Sequence, residues 1–241
     1  MSRIVTCSLR LGSFLHPHNI RLAIAAQIFT AAGVLLIFVI NLLWTQRVVR
    51  SLHPQFGWHR IPSTALKLLW PVLALTLVIT IVSVVQSLYT LRPRTLHIDR
   101  ALQLYGTTFL AIVSFLPLPI LALCFAFPRT QRADAFGKGS LRTKIAVLVT
   151  GTVLVCFGAS YRAGTMWMAP VSMRQPRPAY YHKAAFYLVN FGIELVVVAL
   201  YAGARVDRRF WIPNGAKGPG SYEEREVIDS VPVEVVDKEI V

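Results

Sequence analysis

The hydrophobic and polar positions divide the chain into long apolar runs separated by short basic stretches. Five runs stand out, at residues 22–44, 68–91, 101–127, 145–161 and 184–204. The first three contain no Asp, Glu, Lys or Arg. A bilayer core about 30 Å thick takes roughly 20 apolar residues of helix at 1.5 Å each. The fourth run reaches that length once Tyr161–Trp167 extends it past Arg162. In lipid only a helix satisfies its own backbone over such a length, and the alternating ten-residue segments of a membrane barrel are not visible. The pattern therefore predicts an all-α, polytopic transmembrane helical bundle. Its complete spans are about 22–44, 68–91, 101–127, 145–167 and 184–204, with an N-terminal half-helix at 1–15. The membrane domain covers 1–206 and the tail 207–241.

The run ends and interruptions refine this picture. Trp44, Tyr89, Trp167 and Trp211 lie at or near run boundaries, where an aromatic belt would sit. Pro71, Pro117 and Pro119 fall inside runs, and the last two predict a kink in the third helix. Ala199 and Gly203, four apart, would allow a close helix contact. No repeat of fixed period is present.

Composition agrees with lipid contact: 55% of residues are hydrophobic and 15% charged, against about 25% charged in soluble domains. The net charge of +14 hides an asymmetry. Residues 1–220 hold 23 basic and four acidic side chains, while seven acidic residues follow Ser221. Because the basic residues sit between apolar runs, phospholipid headgroups are the expected partner and nucleic acid is not. Loops 45–67 and 127–144 would share a side with the tail. That side carries 13 basic residues against eight on the other, among them Arg47, Arg50, Arg60, Arg142 and Arg208. The positive-inside rule then makes the tail cytoplasmic, in the plasma membrane or an endomembrane. The tail has Pro-Asn-Gly and Gly-Pro-Gly turns and an acidic end, a composition too polar to fold alone.

Candidate chemistry is sparse. Cys7, Cys124 and Cys156 show no CxxC spacing, so neither a disulfide framework nor a zinc site is indicated. His16 and His18 flank Pro17 with no third ligand in evident reach. There is no GxSxG, HExxH, P-loop or GxGxxG motif, and the reading assigns no enzyme, no catalytic residue, no metal and no cofactor. The most informative residue is Glu194, roughly 15 Å into its run. A carboxylate at that depth is costly and faces a partner or a cavity. It suits a proton relay, a cation site or a ligand counter-ion, or else a fixed structural pair. Asn190 precedes it by one turn on the same face. Counting along the fourth run places Arg162 about 11 Å higher than Glu194, close enough to the interface to snorkel out. Arg3, about 18 Å inside if 1–15 is the end of a membrane helix, is the partner expected from depth. Gln27, Asn41, Gln86 and Gln103 are further polar groups in or at the ends of runs, suited to gluing helices or lining a cavity.

The segments HPHNIRLAIAAQIFTAAGVLL (16–36), FGASYRAG (157–164), YYHKAAFYLVNFGIELVVV (180–198) and RVDRRFWIPNGAKGPGSY (205–222) resemble a family of uncharacterised fungal multi-pass membrane proteins. Some of these are named family-C-like G-protein-coupled receptors. The Arg162 and Glu194 arrangement is also distantly similar to fungal lipid-translocating exporter-type proteins with seven helices. The resemblance implies a seven-helix parent in which MSRIVTCSLRLG matches the interior of the second helix, and it supplies no established catalytic residue. Two functions are expected from it. One is a receptor-like sensor whose basic loops 45–67 and 127–144 meet a cytosolic protein. The other is a transporter or lipid-translocating exporter with Glu194 in its pathway.

Overall fold

A computed structural model describes residues 2–15, 19–90, 92–127, 136–168, 187–212, Gly218 and Tyr222. The helices are α1 (Ser2–Leu15), α2 (Ile20–Leu52), the single turn α3 (Pro54–Gly57), α4 (Arg60–Tyr89), α5 (Pro93–Phe115), α6 (Pro117–Ala126) and α7 (Leu141–Trp167). A π-helical turn, Leu188–Gly192, leads into α8 (Ile193–Gly203), and a last turn forms α9 (Val206–Arg209). No strand occurs among the described residues. Four stretches are long and apolar enough to cross a membrane: Ile24–Leu52, Pro62–Tyr89, Pro93–Ala126 and Leu141–Trp167. Leu188–Gly203 is apolar but shorter. The chain thus has the helices of a multi-pass membrane protein.

The helices overrun the apolar runs because hydrogen bonding does not stop where apolarity does. α2 has 33 residues, about 50 Å of helix, and α4 starts at Arg60. The loop expected at 45–67 shrinks to residues 53–59, which themselves include the turn α3. The third run breaks at Leu116, between Phe115 and Pro117. Pro117 cannot donate to the preceding turn, so the helical hydrogen bonding is interrupted there, while Leu116 itself keeps α-helical dihedrals.

Burial ranks the helices. In α2, 44% of the apolar window is inside the protein, against 17% in α4; α2 is the axis and α4 the rim. The buried positions of α2 include Ala26, Thr30, Val34, Ile37, Asn41, Thr45, Val48 and Leu52, a stripe of helical period. On α7 the matching stripe is Lys144, Leu148, Gly151, Val155, Ala159 and Ala163. α7 and α8 run antiparallel, since Gly151 meets Tyr201 while Gly158 meets Val189 and Ile193. A Cβ on Gly151 would lie 2.6 Å from atoms of the Tyr201 ring, so only glycine lets these helices approach. Among the described residues the close contact expected at Ala199 and Gly203 is absent: none of their atoms lies within 4 Å of a Cβ built on Gly203, and both residues are exposed. They sit on the outward face with Leu195 and Val196.

The first part of the expected polar tail is packed into the bundle. Phe210 and Tyr222 are buried with Val48, Leu52, Leu121, Phe136 and Leu148. The boundary at 206 marks a change in polarity, but not the end of the packed protein, because aromatic residues spaced beyond it return to the helix ends. Residues 223–241 lie outside the described residues, as do 128–135 and 169–186.

Candidate functional site

Glu194 sits in the first turn of α8, immediately after the π-helical turn that carries Asn190. A π turn widens the helix by one residue and often marks a functional position. Both residues are buried, and both face α7 across the approach at Gly158. From α7, Arg162 donates Nε–H and Nη2–H to Asn190 Oδ1, at 3.1 and 2.9 Å. Its Nη2 stands 4.0 Å from Glu194 Oε1. Asn190 therefore receives the forked hydrogen bond, and the carboxylate completes the charge pairing from one turn further along.

This geometry corrects the depth argument from the runs. Arg162 lies five residues from the Trp167 end of α7, about 7.5 Å, and Glu194 six residues from Leu188, about 9 Å. On antiparallel neighbours the two stand at similar heights. The side chain of Arg162 turns inward to Asn190 instead of snorkelling out. The side chain of Arg3 lies outside the described residues, as do those of Gln27, His16 and His18. Arg10 of α1 reaches the same neighbourhood, with its guanidinium 5.7 Å from the Tyr187 ring centre and 5.5 Å from that of Phe191.

The three residues form the polar end of a cavity with about 30 Å³ of room, enough for one or two waters. Its other walls are apolar: Val34, Ile37 and Phe38 of α2, Leu110 of α5 and Val155 of α7. Thr107 adds a hydroxyl, which donates to the carbonyls of Gln103 and Leu104. Four helical elements thus meet around one charged, hydrogen-bonded cluster in an apolar setting. Such a cluster can exchange donors and acceptors with a small polar group of about the size of a water.

Of the other polar residues, Asn41 is helix glue: its Oδ1 accepts from Tyr201 Oη at 2.5 Å. Gln86 is exposed, and Gln103 contributes its backbone carbonyl. Asp99 was not singled out by the sequence pattern, because it precedes the third run by two residues and reads as loop. In the structure α5 begins at Pro93 and Asp99 is 2% exposed. Its Oδ2 has no hydrogen-bond partner among the described residues. The signal available in the sequence was Pro93 itself, a preferred first residue of a helix.

The aromatic belt is met in part. Tyr89, Trp167 and Trp211 are 62%, 63% and 50% exposed, and Trp167 Nε1–H donates to Thr108 Oγ1 at 2.9 Å. Trp44 turns inward. It stacks on Phe210, with ring centres 4.8 Å apart, and meets Tyr201 edge-on at 4.8 Å. Phe136 packs against Phe210 and Tyr222. Arg47 donates to the Phe210 carbonyl and Lys144 to the Phe136 carbonyl. These rings and cations close the end of the bundle opposite to Arg162.

Comparison with known proteins adds one finding. No curated protein and no solved structure matches the chain. Residues 137–211, which run from the turn beside Phe136 through Trp211 and include Arg162, Asn190 and Glu194, match a family model described as a protein of unknown function (DUF3112).

Proposed function

We propose that this protein is a receptor-like membrane sensor of seven-helix type, in which the Arg162–Asn190–Glu194 cluster is the switch. The observation that carries this reading is the double commitment of Arg162. Two guanidinium hydrogen bonds go to one oxygen, Asn190 Oδ1, with Glu194 at 4.0 Å and an adjoining cavity. A small polar group entering the cavity competes for those donors and shifts α8 against α7. The same two helices carry the aromatic closure at their far end, so the shift is felt there. The fifth span is Leu188–Gly203, about 24 Å of helix, extended at its ends by Tyr187 and the segment to Trp211. With five spans and the half-helix α1, the tail and the basic residues of 45–67 and 127–144 face the cytosol. There they meet a protein partner.

Hydrogen exchange on the reconstituted protein tests the reading. Glu194→Gln is expected to raise exchange several-fold in 136–142 and 206–212 relative to the parent. Unchanged exchange in both segments, in a variant that melts like the parent, removes the sensor reading. A buried charged cluster beside a cavity also suits a transporter or lipid-translocating exporter, which is the second reading. Labelled-lipid movement across proteoliposomes separates the two. Flux abolished by Glu194→Gln with unchanged exchange at the far end supports the exporter, and flux indifferent to the substitution sinks it.

A further inference from the structure

A second polar feature lies apart from the Arg162 cluster, in the hairpin of α4 and α5. The short connection 90–92 makes these helices antiparallel neighbours, and they pack on each other. They touch where Gly106 meets Thr80: a Cβ on Gly106 would run into Thr80 Oγ1. Seven residues, about two helical turns, return a helix to nearly the same face. Asp99 stands seven residues before Gly106, and Ser87 seven residues after Thr80. Asp99 and Ser87 are therefore at one height, on the faces that the two helices turn to each other. Burial agrees with this register. On α5, Asp99, Gly106 and Val113 form a buried row. On α4, Leu73, Thr76 and Ser83 are buried in a row of helical period that includes Thr80 and Ser87.

The hydroxyls of the α4 row have already spent their protons. Thr80 donates to the Thr76 carbonyl, Ser83 to that of Ile79 and Ser87 to that of Val84, each at 2.8 Å. A hydroxyl has one proton to give and keeps its lone pairs, so this row offers α5 oxygen acceptors. Opposite it, Asp99 is 2% exposed, and its Oδ2 has no hydrogen-bond partner among the described residues. The cation next to it in the chain is engaged elsewhere, since the Arg100 guanidinium donates to the Met168 carbonyl at 3.1 Å. Buried charges are normally paired or bound to a metal ion. A carboxylate that faces oxygens with no proton to offer is a setting for a cation.

We infer that Asp99 and Ser87 hold a small monovalent cation of sodium's class between α4 and α5. One carboxylate balances one positive charge, whereas a calcium site draws on more oxygen ligands and more carboxylates. Carboxylate and hydroxyl oxygens are hard ligands, suited to a hard ion. The depth of burial favours a bare ion over an alkylammonium group. The ion would tie α4 to α5, and α4 is the span with the smallest buried share, 17% of its apolar window. The site is separate from the Arg162 cluster, so it stands whether the protein senses or transports.

The test uses the full chain in a neutral detergent. Scintillation proximity reads its retention of radioactive sodium, with N-methyl-D-glucamine chloride holding the ionic strength constant. The expected result is saturable retention that unlabelled sodium displaces. Asp99→Asn abolishes it and Ser87→Ala weakens it several-fold. Asp207→Asn, at an exposed carboxylate of the turn α9, leaves it unchanged. Retention that survives Asp99→Asn places the ion elsewhere and overturns the proposal, as does equal loss in Asp207→Asn. Absence of saturable retention in the parent chain also overturns it, and leaves a water or a proton as the companion of the carboxylate. Should Asp99→Asn fail to fold, thermal unfolding decides. Sodium chloride must raise the midpoint of the parent above that in equimolar N-methyl-D-glucamine chloride, because an ion bound to the folded state stabilises it. The rise must be smaller in Ser87→Ala. Equal midpoints in the two salts, or an equal rise in both proteins, overturn the proposal.

Discussion

At one end of the α7–α8 pair, a guanidinium bonded to an asparagine stands 4.0 Å from a carboxylate beside a cavity. At the other end, Trp44, Phe136, Phe210 and Tyr222 close the bundle, and Arg47 and Lys144 donate to backbone carbonyls. Both ends bury charge, but in different ways. At the closed end, Arg47 and Lys144 satisfy carbonyls that would otherwise be orphaned, and ring packing fills the remaining space. At the cavity end, the charges hold each other across two helices and leave room beside them. The difference separates a stabilising end from one able to respond, because a group committed to backbone has no alternative partner to exchange with.

Several substitutions break or sharpen this contrast. The largest effect is expected at Phe210, 1% exposed in the closed end. Phe210→Ala should cost about 3–5 kcal/mol, read from unfolding in mixed micelles. A loss below 1 kcal/mol would show that the tail segment is not part of the stable core. Next comes the approach between the helices that join the two ends. Gly151→Ala should cost about 1–3 kcal/mol by driving its methyl group into the Tyr201 ring. Gly203→Ala, on the open outward face, should stay within about 0.5 kcal/mol. If the two glycines respond alike, α7 and α8 do not pack as described.

A double-mutant cycle on Arg162→Gln and Glu194→Gln follows. Its coupling energy should fall between about 0.5 and 3 kcal/mol, since the charges face each other at the edge of contact distance. Additive losses would mean that Glu194 does not hold Arg162. The smallest effect at a packed position is expected midway between the ends. Tyr201→Phe removes the bond to Asn41 and should cost about 0.6 kcal/mol, the typical worth of an interhelical hydrogen bond in a membrane protein.

Much of the architecture was legible along the chain. The apolar runs located every long helix, because a lipid-exposed face demands apolar side chains at nearly every position. Pro117 placed the break in the third run, and the alternation of runs and basic stretches set the order of the elements. Helix limits were less legible. α2 continues eight residues past Trp44 and α5 starts eight residues before the run at 101, since an amphipathic or polar turn costs nothing beyond the hydrocarbon. That shift concealed Asp99 within an apparent loop.

The site divides along the same line. Glu194 announced itself by its residue type in an apolar setting, and Asn190 by standing one helical turn away. Arg162 is visible in the sequence, but its position along the run directs it outward, whereas in the structure it turns to Asn190. Depth along separate runs is a one-dimensional estimate, whereas pairing depends on where two antiparallel helices are pinned together. Here the pins are Gly151 under Tyr201 and Gly158 beside Val189 and Ile193, contacts that no single run encodes. The inward turn of Trp44 and the burial of Phe210 and Tyr222 have the same origin. By itself the amino-acid sequence determined the class, the helices and the costly carboxylate of Glu194, because transfer into lipid is a local property of each segment. Tertiary structure alone decided which arginine meets that carboxylate and how the tail closes the bundle, because those depend on register and close approach between segments far apart in the chain.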